Sequence, residues 1–250
     1  RGPGNEQPVS TVLQRDGKTY VVTIYMSSNV TDRNNDNNAW QCKCGVVEIG
    51  ATGNPTQVVY EKQLTTRRRN DATRPCNRPA VTTDGEYVIW AFGSDSDNNN
   101  TQVDTYAGIL NQVQAPIKIE NRNGNNGAPA IVSPYAPGRA SYVMASYLNN
   151  GERTQIVGLA KDMTAQGPRL RRTNELTVVE PANIGRPTVA LVDEASNTYM
   201  VCAAKGTQRP PEDGVACAVA RFKSDGDLEV TDNTVNGNNN YGRLIAPSIV

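Results

Sequence analysis

The sequence predicts an all-β chain made of four copies of a four-stranded antiparallel unit, followed by the start of a fifth. Three observations carry this. A Pro-led apolar segment recurs five times, with its Pro at positions 8, 79, 129, 187 and 247. A Tyr-centred apolar run follows each of the first four. No stretch sustains the helical apolar period, so helix should be nearly absent.

The elements follow in chain order. The first strand of each unit reads Gln7-Pro8-Val9-Ser10-Thr11-Val12, Arg78-Pro79-Ala80-Val81, Ala128-Pro129-Ala130-Ile131-Val132 and Arg186-Pro187-Thr188-Val189-Ala190-Leu191. A Pro suits the start of a strand, where its missing N–H is not needed. Asp16-Gly17 and Asp84-Gly85 are tight-turn chemistry leading into the second strand. That strand spans Thr19 to Tyr25, Glu86 to Phe92, Ser141 to Tyr147 and Thr198 to Ala203. A polar loop precedes the third run at Trp40 to Ile49, Val103 to Leu110, Gln155 to Ala160 and Val215 to Phe222. A weaker fourth run closes each unit at Gln57 to Leu64, Ala115 to Glu120, Leu176 to Glu180 and Leu228 to Thr231.

The Pro spacings of 71, 50, 58 and 60 residues, with four short strands in each, resemble the blades of the β-propeller superfamily. The resemblance is one of pattern and covers essentially the whole chain without a family fingerprint. It implies one propeller domain over 1–250, with blades at about 5–65, 78–120, 128–181 and 186–232 and the start of the next at 244–250. A β-sandwich gives similar alternation but does not explain why the same strand order returns at each blade length. Both ends look cut, so a processed chain or a fragment of a longer one is expected.

Composition narrows function. The chain has 250 residues, 25 basic and 25 acidic, and no His. Zero net charge argues against a general nucleic-acid binder. The lack of His removes His-based acid–base pairs, Ser-His-Asp and Cys-His nucleophiles and His-ligated zinc. No apolar run reaches the roughly 20 residues of a membrane helix.

The five Cys show no C-x-x-C spacing. Cys42 and Cys44 share one face of a strand. Cys202 and Cys217 sit in neighbouring apolar runs, roughly opposite each other across the 206–214 loop. Free thiols in a reducing compartment and oxidised pairs in a secreted protein are both open. In the oxidised reading Cys202 pairs with Cys217, and Cys76 competes for Cys42 or Cys44, leaving one thiol.

Up-and-down alternation puts the strand 2–3 loops and the connections between units at one end. Nearly all the Asn clusters fall there. Asn offers donor and acceptor on one amide, which suits sugar hydroxyls; it also tolerates left-handed turns, a purely local reason for its presence. The candidate binding residues are Asn35 and Asp36, Asp95, Asp97 and Asn99, Asn123 and Asn125, and Arg67 and Arg68. The Asp95–Asn99 stretch alternates oxygen ligands as calcium loops do, but lacks their Gly; no cofactor is otherwise indicated. The Arg67-Arg68-Arg69 run could hold a carboxylate or sulfate. Arg78-Pro79 with Asp84-Gly85-Glu86 loosely resembles the opening strand of sialidases, without their Ser-x-Asp-x-Gly-x-x-Trp box. No carboxyl pair of the kind glycosidases use can be nominated, and no catalytic residue is assigned.

The leading reading is a secreted or cell-surface propeller that binds a glycan or a protein partner through its Asn-rich loops. The alternatives are a glycoside hydrolase or lyase on the same scaffold, and a structural subunit of an extracellular assembly.

Overall fold

The computed structural model describes residues 8–28, 40–64, 77–95, 102–110, 117–123, 129–133, 141–148, 153–179, 187–205 and 214–237. These hold strands and turns and no helix. Sheet one contains β1 (Val9–Arg15), β2 (Lys18–Ser28), β3 (Trp40–Ile49) and β4 (Pro55–Gln63). Sheet two contains β5 (Asn77–Thr83), β6 (Val88–Asp95), β7 (Gln102–Ile109) and β8 (Ile117–Asn123). Sheet three contains β9 (Ala130–Val132), β10 (Ser141–Leu148), β11 (Arg153–Thr164) and β12 (Gly167–Val179). Sheet four contains β13 (Thr188–Asp193), β14 (Thr198–Lys205), β15 (Gly214–Phe222) and β16 (Leu228–Gly237). Each sheet is an antiparallel meander in chain order, so four sheets replace the two of a sandwich.

Local chemistry explains the strand starts and turns. Asp16 and Gly17 both have positive φ, 53° and 71°, and join Arg15 to its partner Lys18. This is the two-residue turn whose twist matches its flanking strands. Pro8, Pro129 and Pro187 stand just before β1, β9 and β13. Pro79 lies inside β5, at a register irregularity between Asn77 and Ala80 that spares the ladder its missing donor. The fourth strands run longer than their apolar residues suggest: β8 reaches Asn123 and β16 reaches Gly237. Backbone pairing continues there without an apolar pattern to announce it.

Strand alternation sends opposite faces of each sheet to different neighbours. In β6, Val88, Trp90 and Phe92 pack against Leu13, Val22, Ile24, Cys42 and Cys44 of sheet one. The intervening Ile89 and Ala91, with Ala107 and Ile109 of β7, pack against Val157, Leu159 and Leu170 of sheet three. Ile156 of sheet three turns the other way, onto Tyr199, Val201, Ala218, Ala220 and Phe222 of sheet four. Three apolar layers therefore alternate with four sheets. The first strands follow one another through the stack, β1 beside β5, β5 beside β9 and β9 beside β13. Comparable packing of sheet four on sheet one is not seen among the described residues.

Close packing dictates small residues. Gly108 lies opposite Trp90, and a Cβ there would stand 2.5 Å from the indole Cζ2. The indole also stacks on Phe92, with ring centroids 5.2 Å apart.

Candidate functional site

Each meander sends its 2–3 loop and its connection to the next sheet out of one end, and its 1–2 and 3–4 connections out of the other. The turn ends are tied together. Lys161 at the end of β11 reaches Asp84 in the β5–β6 turn at 2.6 Å, and both side chains are buried. Its ammonium also sits 4.6 Å above the Tyr87 ring and 3.7 Å from Glu86. Asp84 Oδ1 accepts the N–H groups of Glu86 and Tyr87, so the carboxylate builds the turn as well as the ion pair. Between sheets three and four, Asn174 Nδ2 donates to the Leu228 carbonyl, and the Leu228 N–H donates to Asn174 Oδ1. The Lys161–Asp84 pair thus joins the turn ends of sheets two and three.

Asp95 closes β6 opposite Val103, and Asn123 closes β8 opposite Gln102. The structure thus brings these two candidates to the same end of sheet two, as the last residues of strands and not inside loops. Asn35, Asp36, Arg67, Arg68, Asp97, Asn99 and Asn125 lie outside the described residues, and so does the calcium-like loop apart from Asp95. No group of three metal-ligating side chains occurs among the described residues.

Three residues near this end were not singled out in the sequence. Thr105 and Thr154 are fully buried, and Gln155 is nearly so. The hydroxyls of Thr105 and Thr154 have no hydrogen-bond partner among the described residues. Buried polar groups are nearly always paired, so two such hydroxyls call for an explanation. Thr105 shares a strand face with Ala107 and Ile109, toward sheet three, and Gln155 shares one with Val157 and Leu159, toward sheet two. Regular alternation along β6 places position 95 on the same side as Ile89 and Ala91. Positions 95, 105 and 155 therefore belong to the loop end of a single inter-sheet layer. Their signal in the sequence is a polar residue at an inward-facing position of an apolar run.

Thr154 shares its face with Ile156, toward sheet four. By register, Cys42, Thr105 and Thr154 fill one slot on three successive third strands, opposite Met26, Gly93 and Tyr147. The same repeat thus places a sulfur in sheet one and a hydroxyl in sheets two and three.

Cys202 and Cys217 are direct cross-strand partners with Cα atoms 4.1 Å apart, and they form the expected disulfide. It clamps the strands that carry the 206–213 loop. Cys42 is disulfide-bonded as well. Cys44 keeps a buried thiol, which burial pushes up to about 12. Such a thiol is almost wholly protonated at neutral pH and a poor nucleophile. Cys76 lies outside the described residues.

No protein-family model matches the chain, and no curated protein matches it. Solved structures do resemble it. An α-L-arabinofuranosidase from Lactobacillus brevis is 12% identical with a TM-score of 0.46, over 96% of this chain and 75% of that one. A GH43 β-1,3-galactosidase is 12% identical with a TM-score of 0.43, over 89% and 45%. Trypanosoma rangeli sialidase, in complex with sialic acid, is 13% identical with a TM-score of 0.44, over 91% and 43%. The chain spans less than half the length of the last two.

Proposed function

We propose that the four sheets are successive blades of a β-propeller, and that this protein is a secreted or cell-surface module binding a glycan or protein partner through its loop end. The observation that carries the reading is the gathering of Asp95, Thr105, Gln155 and Asn123 at the end from which the long Asn-rich loops leave. Long loops on a rigid scaffold are where recognition usually resides. Carboxylate, hydroxyl and amide groups together offer the donors and acceptors that sugar hydroxyls need. The disulfides favour an oxidising compartment. Among the described residues no helix is long and apolar enough to cross a membrane. The test is a glycan array probed with the full chain, run beside a general glycosidase assay. Saturable binding without turnover supports the reading. Hydrolysis of a bound glycan would move the protein to the hydrolase alternative, and binding to no glycan would leave a protein partner.

A further inference from the structure

Between sheets two and three the apolar layer gives way to a polar row at its loop end. On sheet two, Ala91 opposite Ala107 forms the last apolar row, and the next row holds Gly93, Thr105 and Glu120 in register. On sheet three, Val157 stands in the last apolar row, and the next row holds Ser146, Gln155 and Thr177 in register. Strand alternation keeps each polar row on the same face as the apolar row before it. Thr105 is fully buried and Gln155 is 5% exposed, so hydroxyl and amide both lie within the layer. Gly93 is buried as well and adds no side chain beside Thr105.

The Thr105 hydroxyl has no hydrogen-bond partner among the described residues. A buried polar group left unpaired costs stability, and a valine of the same shape would avoid that cost. Thr154, one layer on, is equally buried and equally unpartnered among the described residues. Its surroundings differ. The sheet-four row at that end is Ala203 opposite Ala216, with Asn236 out on the edge strand. The layer between sheets two and three instead sets a buried amide across from the buried hydroxyl.

We propose that this inter-sheet row is a sugar-binding slot in which the Thr105 hydroxyl and the Gln155 amide share the hydroxyls of a sugar that carries no carboxylate or sulfate. Hydroxyl and amide each donate and accept, as a sugar hydroxyl does. The alanine and valine row beneath suits the C–H face of the ring, since ligand sites join apolar walls to a few placed polar groups. Neither polar row contains a basic residue, so an anionic group brought there would be buried without a counter-ion. The inference rests on the loop-end reading above, commits it to a glycan, and makes Thr105 a specificity-determining residue.

The test combines NMR titration of the full chain with urea unfolding. The probes are free D-glucose, D-galactose, D-xylose and L-arabinose, with D-galacturonate as the anionic counterpart. At least one neutral sugar should bind, and more tightly than the uronate. Thr105→Val should raise the urea midpoint and weaken that sugar at least about tenfold, the loss of one hydrogen bond to the ligand. Thr105→Ser keeps the hydroxyl and loses a methyl, so it should lower the midpoint yet bind close to wild type. Thr154→Val should raise the midpoint too and leave affinity unchanged. A merely structural Thr105 would instead lose affinity with stability, in the serine variant above all. A Thr105→Val midpoint at or below wild type overturns the inference, because the hydroxyl is then already paired. So does unchanged affinity in that variant, or a preference for the uronate. Binding to none of the sugars overturns the inference while leaving the loop end to a protein partner. Sugar binding that survives Thr105→Val but not loss of Asp95, Asp97 and Asn99 overturns this slot and keeps the loop end.

Discussion

Lys161 and Asp84, 77 residues apart in sequence, meet at 2.6 Å with side chains only 7% and 1% exposed, and so lock sheet three to sheet two. Breaking one partner of a buried pair strands the other charge, which typically costs about 3–5 kcal/mol. Asp84→Ala should therefore unfold at distinctly lower urea, since it also removes the acceptor for two turn N–H groups. Lys161→Met should cost less, because Asp84 keeps those turn bonds. Equal midpoint shifts would mean that the turn bonds contribute nothing.

The disulfide between Cys202 and Cys217 closes a 15-residue separation. On the chain-entropy account, a loop of that size contributes about 3 kcal/mol. The double variant Cys202→Ser, Cys217→Ser should lose stability of that order in chemical denaturation. Alkylation of the native wild type should label neither residue, and it should reach Cys44 only on unfolding.

Cys44 also fixes an alkaline limb. Its thiol is raised from 9.0 to about 12, with burial the largest cause. Between those values the folded chain keeps a proton that the unfolded chain has released. Stability is then whole below pH 9 and falls toward pH 12, with a slope of about 1.4 kcal/mol per pH unit from this group. Cys44→Ala should flatten the limb in that window, whatever its cost at pH 7. An unchanged slope in urea titrations would show that the thiol ionises without unfolding.

Gly108→Ala should destabilise by about 1–3 kcal/mol, the usual cost of overpacking a filled core, because the new methyl meets the Trp90 ring. It should also shift Trp90 emission. Gly45→Ala is the control: its Cβ would stand 3.5 Å from Tyr25 Cε1, an ordinary contact, and should be close to neutral.

Four-strand order was legible because Pro-led starts, Asp-Gly turns and Tyr-centred runs all repeat. Cys202 and Cys217 were legible for a related reason, since equal distances from one loop make direct partners. The length of β12 was harder to see. Arg169, Arg171 and Arg172 break its apolar pattern, yet its ladder with β11 continues from Gly167. The Lys161–Asp84 lock left no trace, because a lone Lys at the end of an apolar run looks solvent-bound until the next sheet packs over it. Thr105 stood inside a run read as a strand and Thr154 just before one, and only burial sets them apart. For the candidate site, register fixes Asp95 and Asn123, whereas the loops themselves carry no period from which a position could be read.

The most direct test is a binding titration of the full chain, against its best array ligand, with two triple variants. Asp95, Asp97 and Asn99 replaced by Ala should weaken binding at least tenfold, with circular dichroism establishing that the variant is folded. Arg169, Arg171 and Arg172 replaced by Ala should leave binding intact; they lie on β12, where Arg169 and Arg171 face Asp162 at 3.7 and 3.1 Å and Arg172 pairs with Glu175. Binding lost with the arginines and kept without the loop residues would contradict the assignment of the functional end.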